Sequence, residues 1–356
     1  MFDLRRFIQD VFAPEPGESA LVIADMPHGH VQDNPDWADR RAWATEWQEA
    51  FAALGVQTPP VVLYPATGAN NGELPAQGSQ NGREINLPAM IGKASIVAAL
   101  TRYSATAPLS RMTLRHPGLR VASMPGILRR MEQTALSADV NQVARKAIRL
   151  QEKLQLAESA LWEFDTGHQC RFDLRYREAH ADDGLCRRDK QGFRLINIPS
   201  GEAFIVPYEG ERDGDPSRTE GTIPMIWKDT LILFHVEANQ IVAIEGKDPV
   251  RSELQAHFDL DPARRNIAEV GLGCNDRAMI TGVVLEDEKA GPHWAYGRSE
   301  HLGGTVGPGA FSSPDHVIHQ DIVYAKGCPI GLTRLTLFDA TGAPEVILRD
   351  QAYVIP

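Results

Sequence analysis

Apolar positions recur with two different periods along this chain, and the change of period falls near residue 157. In the first part, short apolar runs alternate with helix-period segments. SALVIADM, 19–26, reads as a buried strand, and DWADRRAWATEWQEAFAAL, 36–54, as a helix. PVVLYP, 60–65, reads as a second strand, and SIVAALT, 95–101, and LRVAS, 119–123, as further strands; a helix starts after the proline at 125–134. Residues 66–91, rich in Gly, Asn and Pro, read as a long loop. Strands alternating with helical crossovers predict an α/β domain, 1–157, built on a doubly wound parallel sheet.

A long amphipathic helix closes this part, 138–157, with Val140, Val143, Ile148, Leu150 and Leu154 on its apolar stripe. From 159 onward the pattern shortens. Strand-like stretches at 159–165, 170–175, 231–236, 240–245, 321–325, 333–338 and 345–349 are separated by Gly and Pro, with a helix signal at 249–259. The second domain, 158–356, is therefore expected to be β-rich α+β.

Composition narrows the classes. At 356 residues the chain exceeds one ordinary core, which agrees with two domains. The 36 basic against 47 acidic residues give a net charge of −11, which disfavours nucleic acid and anionic membrane surfaces as partners. No run approaches the roughly 18 apolar residues of a membrane span. The N-terminal MFDLRRFIQDVFAPEPGE is an amphipathic helix stopped by prolines, without the apolar core of a signal peptide. Cys170, Cys186, Cys274 and Cys328 are widely spaced, which points to reduced thiols and a cytoplasmic protein.

Candidate chemistry concentrates in the second domain. In SPDHVIHQDIVYAKG, 313–327, His319 and Asp321 stand two residues apart and share one face of a strand. INIPSGEAFIVP, 196–207, opens a strand with Glu202 after a Pro-Ser-Gly turn. NIAEVGLGCN, 266–275, carries Glu269 before a glycine-rich bend, and DEKAGPHWAYG, 287–297, carries His293 after a Gly-Pro turn. Two imidazoles and three carboxylates at turn–strand junctions suit a pair of divalent cations: imidazole binds Zn, Co, Fe and Mn, and carboxylates can bridge two ions. Glu286, Asp287 and Glu288 read as a solvated turn that positions His293. LGGTVGPGAFSSPD, 302–315, reads as a flexible active-site loop. His301 and His316 flank the site in sequence, and His28 and His30 follow the first strand, where α/β sheets bind ligands.

NIPSGEAFIVP, RNIAEVGLGCNDRAMITGVVLEDEKAGPHWAYG and HVIHQD resemble the signature regions of the aminopeptidase T family of di-metal peptidases, and LRVASMPGILRRM resembles its sheet domain more loosely. The resemblance implies Glu202, Glu269, His293, His319 and Asp321 as metal ligands. It implies two divalent ions per chain (Zn, Mn, Co or Fe) and hydrolysis of an amide or other C–N bond in a peptide or small molecule. Glu269 is then ligand or general base, with His301 a catalytic candidate, and the expected assembly is a homo-oligomer, dimer or higher. Two features depart from the family: the chain is shorter, and Glu300 stands where its tyrosine is expected, with Tyr296 out of register. The chain also resembles, in length and in His-x-Asp, the iron-dependent 2,5-dihydroxypyridine ring-cleaving dioxygenases. Those have a histidine at the Glu269 position and no glutamate at the Glu202 position, so the carboxylate-rich set favours the hydrolase. A non-catalytic binding protein with a degenerate site is the third reading.

Overall fold

The computed structural model describes residues 2–190 and 194–355. The chain divides into two compact units. One comprises the chain up to Arg145 with Asp182–Gly201 and Asn275–Lys289; the other comprises Lys146–Ala181, Glu202–Cys274 and the chain from Ala290 onward. The division therefore differs from a single cut after 157. It falls inside the helix Val140–Leu156, and two later excursions join the first unit. The physical reason is visible in one of them: Leu195–Asn197 adds a parallel strand beside Arg120–Pro125.

The first unit is built on a seven-stranded sheet. Its order is Leu195–Asn197, Arg120–Pro125, Ile96–Thr101, Ala20–Met26, Val62–Pro65, Gln77–Gln80, Arg83–Asn86. The first five strands are parallel and the last two antiparallel, so the sheet is mixed where a parallel one was expected. The added hairpin and a short helix, Leu87–Ile91, lie within the stretch 66–91 that reads as loop. Their residues, QGSQ and REIN, lack an apolar run because they form an exposed edge. The predicted helix at 125–134 is likewise two 3₁₀ turns, Arg129–Gln133 and Ala135–Ser137.

Alternate residues of the central strands enter two separate cores. Val22, Ala24 and Ala98 pack with Trp43, Trp47 and Phe51 of the helix Pro35–Ala53. Leu21, Ile23 and Val97 pack with Leu109 of the helix Thr106–Arg115.

The second unit holds two sheets around one core. An antiparallel eight-stranded sheet runs Gln240–Glu245, Thr230–Glu237, Glu220–Trp227, Gln169–Asp173, Ala157–Phe164, Leu332–Asp339, Pro344–Arg349, Ala352–Tyr353. The strand Glu220–Trp227 has no counterpart in the sequence reading, because its glycine and proline interrupt the alternation. A five-stranded sheet runs His319–Val323, Pro292–Gly297, Ile267–Gly273, Glu202–Ile205, His180–Asp182. One face of this smaller sheet contributes Ala203, Ile205, Val270, Leu272, Trp294 and Tyr296 to the core, beside Trp162, Phe172, Phe234 and Leu335 of the larger sheet. Leu150 and Leu154 of the long helix join that core, whereas Ile148 is 38 % exposed.

A buried cation ties the first unit together. Arg120 is 1 % exposed; it donates to the carbonyls of Phe12 (2.6 Å) and Cys186 (2.7 Å) and pairs with Glu18 at 2.6 Å. Arg120→Met is expected to destabilise this unit by about 3–5 kcal/mol, because it strands buried acceptors. Urea denaturation followed by tryptophan fluorescence reads this; a change below about 1 kcal/mol would class the network with surface ion pairs.

Candidate metal centre

The face of the five-stranded sheet opposite the core carries the donors. Antiparallel partners directly across from one another point the same way. Glu202 lies across from Gly273, and Phe204 from Gly271, which in turn faces His293. Glu269 faces Ala295, which faces Asp321, and Gly297 faces His319. A register shift between Ile267 and Glu269 sets the glutamate into this row. All five sequence candidates therefore share one face, interleaved with glycine and alanine that leave room above the sheet.

The distances divide them into two triads with one common member. Glu202, Glu269 and His293 form one group, and Glu269, His319 and Asp321 the other; within each, the donor atoms lie within 4.8 Å of one another. His293 Nε2 is 3.5 Å from Glu202 Oε2 and 3.6 Å from Glu269 Oε1. His319 Nε2 is 3.0 Å from Glu269 Oε2 and 3.5 Å from Asp321 Oδ1. Glu269 thus turns one oxygen toward each histidine.

Both imidazoles are held from behind. His293 Nδ1 lies 3.2 Å from the Gly291 carbonyl, and His319 Nδ1 lies 2.7 Å from the Arg298 carbonyl. A carbonyl only accepts, so Nδ1 carries the proton in each case and Nε2 is presented to the carboxylates. Gly271 supplies the cradle for His293: a Cβ there would fall 2.0 Å from Nε2 and 2.3 Å from Cε1. Gly297, at φ +102°, passes so close to Ile318 that a Cβ would sit 2.3 Å from its carbonyl oxygen.

The electrostatics follow from three carboxylates and two imidazoles in a confined space. Burial alone would raise the pKa of Glu269; hydrogen bonds from His293 and His319 overcome it and hold the carboxyl well below the usual range. Burial alone would lower His293, but the Glu269 hydrogen bond and charge push it up to about 10. His319, opposed by burial in the same way, is raised well above its ordinary value by Asp321 and Glu269. Without a metal, protons on the histidines supply the counter-charge. The donor set, its common carboxylate and the glycine cradle fit divalent cations, which would replace those protons.

Access is uneven. The side chains of Glu202, Glu269 and His293 are 9, 7 and 1 % exposed, whereas that of His319 is 20 % exposed, so the donor cluster is most open to solvent on the His319 side. His301 is exposed on that rim, its ring edge-on to His319 with centroids 4.9 Å apart. Glu300 is bound to Arg298 at 2.8 Å. Tyr296 faces the core, where its hydroxyl lies 3.2 Å from His257 Nε2. His316 is engaged elsewhere, with Asp261 and Ser312, and His28 and His30 are exposed in the loop after the first strand.

One sequence reading needs correction, and another gains its anchoring contacts. The turn containing Glu286, Asp287 and Glu288 is not simply solvated. Glu286 is fully buried, accepting from Ala135 N and pairing with Arg130, while Asp287 accepts from the backbone N–H groups of Thr281 and Gly282. The glycine-rich stretch 302–315 is tied by Thr305 to Glu209 and by Ser312 to Asp261. Glu209 escaped the sequence reading because nothing local marks it; its partners are far away in the chain.

No family model matches the chain, and no curated protein matches it by sequence. Among solved structures, it is similar to the 2,5-dihydroxypyridine dioxygenase of Pseudomonas putida KT2440, with TM-score 0.66 and 18 % identity over 99 % of this chain and 97 % of that one. It is also similar to wild-type AmpT of Thermus thermophilus, with TM-score 0.61 and 14 % identity over 99 % of both chains. At these identities the likeness is one of fold. Among the described residues, no helix is long and apolar enough to cross a membrane.

Two outcomes follow. Gly271→Ala is expected to expel the His293 ring and abolish tight zinc binding while the far-ultraviolet circular dichroism stays unchanged. Because the surrounding carboxylates raise His293 to about 10 and His319 well above its ordinary value, loading with Zn²⁺ at pH 7 should release about two protons per chain, one from each, and apparent affinity should rise with pH. Titration in weak buffer measures both; metal uptake without proton release would contradict it.

Proposed function

We propose that this chain is a metal-dependent enzyme and, more specifically, a two-metal hydrolase that cleaves an amide or other C–N bond in a small molecule or peptide. The observation that carries the reading is the division of the two Glu269 oxygens between two donor triads, the arrangement of a bridging carboxylate. Glu202, Glu269 and His293 would hold one ion, and Glu269, His319 and Asp321 the other. Zn, Mn, Co and Fe all accept this mixture of imidazole and carboxylate. When bound, such a pair acidifies a shared water and polarises a carbonyl oxygen.

The chain's own groups supply the rest. Glu269, held ionised by its surroundings, would serve as the carboxylate shared between the two ions; the role of general base is the alternative to that ligand role. His301, on the open rim beside His319, donates a hydrogen bond to the substrate. Glu300, paired with Arg298, leaves the donor role of the family tyrosine to this neighbour. The wide spacing of Cys170, Cys186, Cys274 and Cys328, with no Cys-x-x-Cys pair, supports a reducing, cytoplasmic setting. Trp227, Leu231 and Val242, exposed on one end of the eight-stranded sheet, support a dimer or higher assembly.

A second reading, a mononuclear Fe(II) ring-cleaving dioxygenase of a hydroxylated N-heterocycle, is favoured by the higher fold agreement with the Pseudomonas putida dioxygenase. Its metal would occupy Glu269, His319 and Asp321, a triad with one histidine rather than the usual two. Elemental analysis decides between the readings. The hydrolase predicts about two divalent transition ions per chain, both lost in Glu269→Ala, and oxygen-independent turnover of aminoacyl anilides or heterocyclic amides. A single iron with oxygen uptake would establish the second reading, and metal-free protein that cannot be loaded would exclude both.

A further inference from the structure

We propose that Glu209 is a positioning residue for the metal centre: it clamps the segment 298–306 so that the Arg298 carbonyl holds His319 with Nε2 toward Glu269 and Asp321. The inference rests on the metal-dependent reading above and concerns a residue outside the ligand set.

The side chain of Glu209 is 4 % exposed and gathers five donors. Ser299 Oγ (2.5 Å) and Asn266 Nδ2 (2.8 Å) donate to one oxygen. Thr305 N (2.6 Å), Thr305 Oγ1 (2.7 Å) and Arg177 Nη2 (3.1 Å) donate to the other. Ser299 and Thr305 stand at the two ends of the turn that carries Glu300, His301 and Leu302. The turn is cross-linked by Ser299 N to the Val306 carbonyl (3.0 Å) and by Val306 N to Ser299 Oγ (3.2 Å).

The peptide group joining Arg298 to Ser299 is where this clamp meets the metal site. Its N–H is bound to Val306, inside the clamp, and its C=O receives His319 Nδ1 at 2.7 Å. A peptide group is planar, so the two ends cannot turn independently. Freeing Ser299 frees that plane to rotate, and His319 then loses the acceptor that sets its ring orientation. The same turn holds His301 edge-on to His319. A neutral amide in place of Glu209 would offer an N–H where only acceptors fit, since all five partners donate.

Asp261 is a built-in comparison. It ties a later part of the same glycine-rich stretch, through Ser312 N (2.7 Å), Ser312 Oγ (2.7 Å) and His316 Nδ1 (3.2 Å). Releasing that part leaves the Arg298–Ser299 peptide held by Glu209.

The test measures zinc affinity by competition with a chromophoric chelator, the visible spectrum of the Co²⁺-loaded protein, and ¹⁵N-histidine spectra of the metal-free protein. Glu209→Gln should weaken zinc binding by about 10–100-fold, as expected when a group orienting a metal-ligating histidine is removed. It should also alter the Co²⁺ spectrum and remove the signal of the hydrogen-bonded Nδ1 proton of His319. Ser299→Ala should act in the same direction and less strongly; it decides the matter if Glu209→Gln does not fold. Asp261→Asn should leave zinc affinity unchanged. The proposal is overturned if folded Glu209→Gln and Ser299→Ala bind zinc as the unaltered protein does, or if Asp261→Asn weakens binding as much as Glu209→Gln. If the unaltered protein binds neither metal, the metal-dependent reading fails, and the His319 Nδ1 signal still decides the role of Glu209: its loss in Glu209→Gln supports the clamp and its retention refutes it.

Discussion

Three carboxylates crowded with two imidazoles on one sheet face form the constraint around which the second unit is organised. Negative charge in a confined, partly desolvated space demands a counter-charge, and here only protons or cations can provide it. The sheet meets this demand by division of labour. Ile267, Val270 and Leu272 of one strand and Trp294 and Tyr296 of the next enter a dry core with Trp162, Phe172 and Phe234, while the residues between them are donors or are too small to intrude. The core stiffens the strands, and the strands fix donor spacings that loops would leave slack. Backbone carbonyls at Gly291 and Arg298 then settle which nitrogen of each imidazole is offered.

The five residues that gather on one sheet face stood out in the sequence because each lies beside a turn signal or on a strand with clear alternation. Glu202 follows Pro-Ser-Gly, His293 follows Gly-Pro, and His319 and Asp321 are separated by one residue. Period-2 alternation also exposed most strands of the larger sheet. Local pattern could not show the hairpin at 77–86, whose residues are polar because they lie at an exposed edge. Nor could it show that 182–201 and 275–289 return to the first unit, since a chain excursion leaves no periodic trace. The burial of Glu286 and the role of Glu209 are set by partners more than ninety residues away or spread over several segments, beyond the reach of any short window.

This sheet face presents a pair of donor triads because a carboxylate with one oxygen toward each histidine stands at the central position. In this chain that position is Glu269, with Glu202 across the neighbouring strand pair to complete the second group. Solvent reaches the donor cluster at half-buried His319, beside exposed His301, and the deeply set Glu202 and His293 lie away from it.

Gly271 has a consequence for how relatives of this chain can diverge. Its missing side chain and the flat imidazole above it are one steric unit, so positions 271 and 293 are constrained as a pair. A descendant that acquired any larger residue at 271 would lose its histidine's seat even with all five donors intact. Such a chain would keep the signature and forfeit the site, so inventories of ligand residues alone would misclassify it. The glycine therefore marks the seat of His293 more sharply than the five donor residues do.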